Sequence, residues 1–186
     1  MNYTAEIEYT PDNIRKLSRA VNNAFRFNLK VLYLIICIGL IVFGVVIGMN
    51  SLTGVVCIAF GCFLIPSVNA MEKNRASRLI RQLNGRVIRV RYQFSESGFS
   101  CFDSKENKNV EYGSIIRLLD AGDDLYLFPN SNQAYMLDKH SIVPRGEAGF
   151  KAFIADHVGL EWTYPMSLLT LNLKKLKFIR QNTRMR

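Results

Sequence analysis

A long run of uncharged residues interrupts an otherwise ordinary pattern of polar and apolar positions. Residues 31–71 contain no Asp, Glu, Lys, Arg or His. A helix needs about 20 apolar residues to cross a hydrocarbon core of about 30 Å. The run holds two such lengths, about Leu29–Met49 and Leu52–Met71, separated by a short polar turn. The pattern therefore predicts a transmembrane hairpin of two antiparallel helices over residues 29–71.

Basic residues on both flanks of this run predict its orientation. Lys and Arg are concentrated before the first span and after the second, while the turn between the spans has none. An excess of Lys and Arg marks the cytoplasmic side of a membrane protein. We therefore expect two spans in the inner or plasma membrane, with both termini in the cytoplasm. The apolar run is too long for a cleavable signal peptide and lacks a small-residue cleavage pattern.

Two glycines lie one helical turn apart in the first span. Gly44 and Gly48 form a small-xxx-small motif, which lets another helix backbone approach closely. The approaching helix is either the second span of the same chain or the equivalent helix of a homodimer. Residues 31–71 contain no acidic or basic side chain and no histidine, so the pattern argues against an ion or proton pathway.

The pattern over residues 1–28 predicts a strand followed by an amphipathic helix. Apolar and polar residues alternate over Tyr3–Tyr9, which is the period of a half-buried strand. Pro11 suits the first turn of the helix that follows. An isolated strand is not stable in water. With both termini on the same side of the membrane, the C-terminal domain can supply a sheet for it, although the sequence leaves open whether the strand joins that domain. The apolar stripe of the helix consists of Ile14, Leu17, Val21 and Phe25.

After the hairpin, residues 72–85 are expected to form a juxtamembrane helix, and residues 86–158 a β-rich domain. Alternating segments separated by turn residues predict a curled antiparallel sheet, capped by a C-terminal helix at Glu147–Val158. The fold class is thus a membrane α-helical hairpin plus an α+β cytoplasmic domain. The expected strands are Ile88–Phe94, Phe99–Asp103, Val110–Tyr112, Ser114–Asp120, Leu125–Phe128 and Ala134–Leu137.

Several short motifs of this domain resemble the YcxB-like family. They are Tyr92-x-Phe94-Ser95-Glu96-x-Gly98, Tyr112-Gly113-Ser114-Ile115, Asp124-Leu125-Tyr126-Leu127-Phe128, Ala134-Tyr135-Met136-Leu137-Asp138-Lys139 and Phe150-x-x-Phe153. The order of strand, helix, hairpin and β domain is similar too, over about residues 1–158. The resemblance implies a bacterial pleckstrin-homology-like (PH-like) soluble domain. It implies no catalytic residues.

Positive charge predicts contact with an anionic inner leaflet. The net charge is +9, and each basic residue near the leaflet contributes about 1 kcal/mol of attraction to anionic lipid. Such residues also act simply as topology determinants, which is the alternative reading of the juxtamembrane arginines. The candidate lipid contacts are Arg75, Arg78, Arg81, Lys174, Lys175, Lys177 and Arg180.

The basic tail, residues 159–186, leaves three interpretations open. It forms an interfacial helix on the leaflet, a solvated or partly disordered segment, or a nucleic-acid contact. The last is the least favoured, because the membrane already explains the charge and no aromatic stacking platform accompanies it.

No motif in the chain predicts catalysis, a cofactor or a metal site. The sequence has no Gly-rich phosphate loop, nucleophile elbow or Cys/His pair at ligand spacing. The vicinal acids Asp123 and Asp124 fall where a turn is expected, and turns favour aspartate. We therefore expect a protein that is not an enzyme and needs no cofactor.

These observations favour a membrane-anchored binding or adaptor module with an unidentified protein or lipid partner. The loops Lys105–Lys108 and Pro129–Gln133 are the candidate contacts of the displayed domain. An immunity protein that protects the producer's membrane against a secreted toxin or bacteriocin is the alternative. An accessory subunit of a larger membrane complex is a third possibility.

Overall fold

The structure, a computed structural model, describes residues 2–48, 50–103, 107–144 and 146–165. The predicted lipid contacts Lys174, Lys175, Lys177 and Arg180 lie outside the described residues, as do residues 104–106 of one candidate loop. The helices are α1 (Pro11–Ile47), α2 (Leu52–Leu64), α3 (Ala70–Leu83) and α4 (Glu147–Val158). The strands are β1 (Tyr3–Tyr9), β2 (Ile88–Phe94), β3 (Gly98–Phe102), β4 (Asn107–Glu111), β5 (Arg117–Ala121), β6 (Asp124–Asn130), β7 (Gln133–Asp138) and β8 (Trp162–Thr163).

The N-terminal strand pairs with the C-terminal domain, a point that the sequence left open. β1 lies antiparallel to β2, in register from the Tyr3–Phe94 pair to the Tyr9–Ile88 pair. The first sheet has the order β1-β2-β3-β4. The Ser141 hydroxyl also holds β1, because it donates to the Glu6 carbonyl at 2.7 Å and accepts from the Glu6 N–H at 2.9 Å.

The predicted antiparallel strands are present, but within the described residues they form two four-stranded sheets rather than a single curled sheet. The second sheet has the order β7-β6-β5-β8, and β8 runs parallel to β5. A short 3-10 helix over Tyr112–Ser114 separates the sheets, so the predicted strand Ser114–Asp120 begins only at Arg117. β8 also lies within the predicted tail, which had been expected to begin at residue 159. A strand of two residues is too short to show an alternation of apolar and polar residues in the sequence, and it forms only because β5 lies beside it.

The helix α1 is continuous from the β domain into the apolar run. Thr10 caps its first turn, where its hydroxyl accepts from the Asn13 N–H, and Pro11 occupies the first helical position. In the part before residue 29, Ile14, Val21 and Ala24 are buried. By length and composition, α1 could cross a membrane, and its apolar window is mostly exposed.

The second predicted span is broken. α2 ends at Leu64, a 3-10 helix covers Ile65–Asn69, and α3 begins at Ala70 rather than at residue 72. Proline explains the break, because Pro66 has no N–H to donate and its ring crowds the preceding turn. The segments Leu52–Val68 and Glu72–Leu83 are bent by 40° relative to each other and qualify as a span only if they are taken together.

Small residues form the contact between α1 and α2. A Cβ on Gly44 would lie 2.7 Å from the Gly54 carbonyl oxygen, and one on Gly61 would lie 3.0 Å from the Cys37 carbonyl oxygen. Gly44 therefore packs on α2 of the same chain, which is one of the two interpretations left open above. Gly48 instead ends α1 with a φ of 97°, and its carbonyl faces Gly54.

The sheets and α4 share one aromatic core. α4 has the bounds predicted for it and contributes Phe150 and Ile154, both fully buried. The Phe150 ring meets Phe94 edge-on at 5.0 Å between ring centroids. A charge cluster fixes the other side of α4, where the buried Asp120 carboxylate on β5 accepts from Lys139 at 2.7 Å and from Lys151.

The contact between α1 and α2 can be tested with two glycine substitutions. Gly54→Leu should destabilise the helix pair by about 1–3 kcal/mol, because the side chain has no space between the two backbones. Gly39→Leu is the matched control, since a Cβ there meets nothing within 4 Å. Unfolding by SDS titration in mixed micelles measures both. Equal stability of the two variants would contradict the packing.

Candidate functional site at the junction of anchor and domain

The helices α1 and α3 meet the two sheets at one junction. Glu72, in the first turn of α3, holds α3 against α1 by accepting from Arg19 at 3.3 Å and from Lys30 at 3.0 Å. Lys30 also donates to Asn23 at 2.9 Å. Because Glu72 and Lys30 are mostly buried, water screens this contact less than it screens a surface ion pair.

Arg117 on β5 joins the second sheet to α1. The Arg117 guanidinium donates to the Ala24 carbonyl and to the Thr163 hydroxyl, the latter at 3.4 Å. It lies over the Phe25 ring, 5.5 Å from the ring centroid, and Phe25 packs edge-on against Phe128 at 5.3 Å. α1 is thus held by both sheets before it enters the apolar run.

A cavity of about 470 Å³ lies where α1, α3, the first sheet and the loop from β6 to β7 come together. We call it the junction cavity. Its apolar walls come from both the helices and the sheet, so neither part of the molecule forms it alone. These apolar residues are Leu17, Val21, Leu79, Val90 and Ala134.

The sheet wall of the junction cavity carries hydroxyl and thiol groups. Tyr92 and Cys101 are cross-strand neighbours in the first sheet, and Cys101 is in turn opposite Lys108 on β4. The hydroxyls of Tyr9 and Tyr92 share a hydrogen bond of 3.2 Å. Burial raises the pKa of both phenols, so each tyrosine stays protonated at physiological pH.

The helix wall carries a buried serine. Ser18 lies on α1 with 1% of its surface exposed, and it lines the junction cavity. Within the described residues, its hydroxyl oxygen is the one buried side-chain oxygen or nitrogen without a hydrogen-bond partner. Nothing in the sequence distinguished Ser18 from the other polar residues of the helix, because its environment is made by distant segments.

Parts of both candidate loops and one candidate arginine meet at this cavity. Arg75 on α3 is half-buried and donates to the Asn132 carbonyl in the loop between β6 and β7. Lys108, the last residue of the other candidate loop, lines the same cavity, and so do Gln133 and Asp103. Of the predicted group Arg75, Arg78 and Arg81, Arg75 alone therefore lines the junction cavity.

The other two arginines of that group face outward. Arg78 and Arg81 are exposed on α3, and the Arg81 side chain donates to the Ser77 carbonyl one turn back at 3.3 Å. Their contact with lipid remains a prediction.

A second cavity, of about 400 Å³, lies on the other side of α1 against the second sheet. We call it the outer groove. Its charges are matched within the protein, because Lys16 faces the buried Asp124 at 3.6 Å and Arg19 is paired with Glu72. The predicted turn lies at Gly122 and Asp123, with Gly122 at a φ of 65°, and Asp124 is the first residue of β6. Two of the basic residues that line the outer groove are therefore held in ion pairs within the protein.

No protein-family model matches the chain, and no curated protein matches its sequence. The likeness to YcxB-like proteins remains a prediction that rests on the motifs quoted above. Function must therefore be inferred from the geometry of the junction and from the exposed apolar surface of the helices.

The thiol on the sheet wall of the junction cavity is a poor nucleophile. Burial raises the pKa of the Cys101 thiol to about 12, although the nearby charge of Lys108 acts in the opposite direction. A thiol with this pKa is almost wholly protonated at pH 8, and only the thiolate is a nucleophile.

Cys101 should therefore resist alkylation. In a chain whose other cysteines are replaced by alanine, iodoacetamide at pH 8 should modify Cys101 about three orders of magnitude more slowly than a free thiol. Denaturation in SDS should restore the ordinary rate, which serves as the internal control. The rate can be followed by intact-protein mass spectrometry. Fast labelling of the folded chain would contradict the protonated, buried thiol.

Proposed function

We propose that this protein is a membrane-anchored, non-catalytic binding module. In this proposal the apolar part of α1 and the segment after Leu52 form a two-span hairpin in the inner or plasma membrane. Both termini and the two-sheet domain lie on the cytoplasmic side. The module binds its ligand at the junction cavity, which both the anchor helices and the domain build.

The exposed apolar surface of the helices supports the membrane anchor. Large apolar side chains cover the outer sides of α1 and α2, with Val46 78% and Leu52 81% exposed. Soluble monomers rarely expose a contiguous apolar patch of more than a few hundred Å². Between residues 29 and 47, α1 rises about 28 Å at 1.5 Å per residue, which is close to the thickness of the hydrocarbon core.

The distribution of basic residues supports the orientation. Lys30 and the arginines of α3 lie at the end of the hairpin that carries the domain, and the turn at Asn50 and Ser51 carries no charge. The positive-inside rule places the basic end in the cytoplasm.

The two-sheet architecture is compatible with a PH-like domain of the YcxB-like type. Two four-stranded sheets enclose an aromatic core, and the C-terminal helix α4 closes it with Phe150 and Ile154. A fold of this kind does not by itself define a ligand.

The observation that carries the binding role is that the junction cavity is shared. Its walls come from α1, α3 and the first sheet, so the hairpin holds the cavity at a fixed height above the membrane surface. A ligand bound there contacts the anchor and the domain at once. The protonated Cys101 thiol supports a non-catalytic role.

The topology can be tested by labelling single cysteines. In a cysteine-free chain, Ser51→Cys should react with a membrane-impermeant maleimide in intact cells, because the hairpin turn reaches the outer side. Ser97→Cys, in the exposed turn between β2 and β3, should react only after the membrane is opened. Labelling of Ser97→Cys in intact cells, or recovery of the chain in the soluble fraction, would contradict the proposal.

The exposed arginines of α3 should enrich anionic lipid around the protein. Replacing Arg78 and Arg81 with glutamine should lower the anionic fraction of the lipid that is co-extracted in native nanodiscs, since each charge contributes about 1 kcal/mol near the leaflet. The control is Arg89 and Arg91 to glutamine, which removes the same charge from residues paired with Glu8 and Glu6 on the first sheet. Equal lipid composition in both double variants would contradict a specific role of α3.

A further inference from the structure

The unpartnered hydroxyl of Ser18 has no evident structural purpose within the protein. A buried hydroxyl that makes no hydrogen bond lowers stability, and serine is a poorer helix former than alanine. Ser18 occupies the interior of α1, where alanine would fit the same space without either cost. Ser18 lines the junction cavity, so a molecule bound there lies beside this residue.

The charges around the junction cavity favour an anion. Arg75 and Lys108 line it together with one acid, Asp103, so the charged side chains sum to +1. The bond from Arg75 to the Asn132 carbonyl uses one nitrogen, Nη2, of a guanidinium that carries five N–H donors. Arginine is well suited to bind the oxygens of a phosphate or a carboxylate.

The remaining walls favour an apolar body. Leu17, Val21 and Leu79 present aliphatic surface from the helices, and Val90 does so from the sheet. The cavity volume falls within the range of small-molecule sites. A site with apolar walls and a few polar groups is typical of specific small-molecule binding.

We propose that the junction cavity binds a small amphipathic anion, an apolar body that carries one phosphate or carboxylate group. The anionic group contacts Arg75 and Lys108, the apolar body lies along Leu17 and Val21, and a polar atom of the ligand bonds to Ser18. This inference rests on the proposed binding function and names its ligand class. Such an anion comes either from the membrane, as a single-chain lipid, or from the cytoplasm.

The test uses the full chain in nanodiscs of phosphatidylcholine alone, with phenyl phosphate as the probe in equilibrium dialysis. Empty nanodiscs give the background, and phenol is the neutral analogue. The chain should bind phenyl phosphate above background and at least tenfold more tightly than phenol, since a charge-assisted hydrogen bond is worth about that factor. No binding above background would overturn the inference.

Matched variants separate the site from the rest of the surface. Ser18→Ala and Arg75→Gln should each weaken binding about tenfold. Ser77→Ala and Arg78→Gln, both exposed on α3, are the matched controls and should leave it unchanged. Equal effects of site and control variants would overturn the inference.

The thermal unfolding midpoint of the Ser18→Ala variant, measured without phenyl phosphate, distinguishes a binding role from a structural one. If Ser18 stabilised the protein, its replacement would lower this midpoint. We expect a midpoint equal to or above that of the unmodified chain, because no internal hydrogen bond is lost. A lower midpoint would mean that the hydroxyl stabilises the empty protein, and it would contradict the inference.

Lysophosphatidic acid added to the nanodiscs identifies the source. Displacement of phenyl phosphate assigns the site to a membrane lipid, and retention assigns it to a water-soluble anion; both results uphold the site. If the cysteine labels show the expected topology but the protein does not bind phenyl phosphate, this inference alone is contradicted. If the labels show another topology, the proposed function is contradicted as well.

Discussion

The pairing of β1 with β2 is the constraint on which the rest of the structure depends. It joins residues 3–9 to residues 88–94 across the whole apolar run. Because α1 begins two residues after β1, the sheet fixes where the helix starts and in which direction it leaves the domain. The chain then returns through α2 and α3 to β2, so the hairpin is closed at its base by backbone hydrogen bonds.

Because of this pairing, the helices α1 and α3 and the two sheets form one connected structure. The contacts of Glu72 with α1 and of Arg117 with the Ala24 carbonyl hold the helices against the sheets at two further points. In the proposed membrane orientation, a domain joined in this way would keep one height above the membrane, whereas a domain on a flexible linker would sample many. The cavity between the parts is accordingly lined by residues of both the helices and the sheets.

The sequence was most informative where the structure is local. Alternation predicted β1 and β2, proline marked the start of α1, and the bounds of α4 were predicted to the residue. Pro66 could have indicated where α2 ends, but the uncharged run continues past it and predicted one unbroken span. The small-xxx-small motif pointed to Gly44 and Gly48, which lie one turn apart. It did not point to Gly54 and Gly61, which lie seven residues apart on the face of α2 towards α1.

The junction cavity could not be predicted, because it depends on contacts between distant segments. Ser18 can be identified as a candidate site residue only from the structure, which shows that its buried hydroxyl has no hydrogen-bond partner. Arg75 resembled Arg78 and Arg81 in the sequence, and only the loop that follows β6 sets it apart. The two-residue strand β8 likewise exists only because β5 is beside it.

The most direct test of the account is a distance measurement between anchor and domain by double electron–electron resonance. Spin labels at Val46, at the membrane end of α1, and at Ser97, between β2 and β3, are both on exposed positions. A domain closed on its anchor predicts one narrow distance distribution in nanodiscs. A broad distribution would show a tethered domain and would contradict the shared junction.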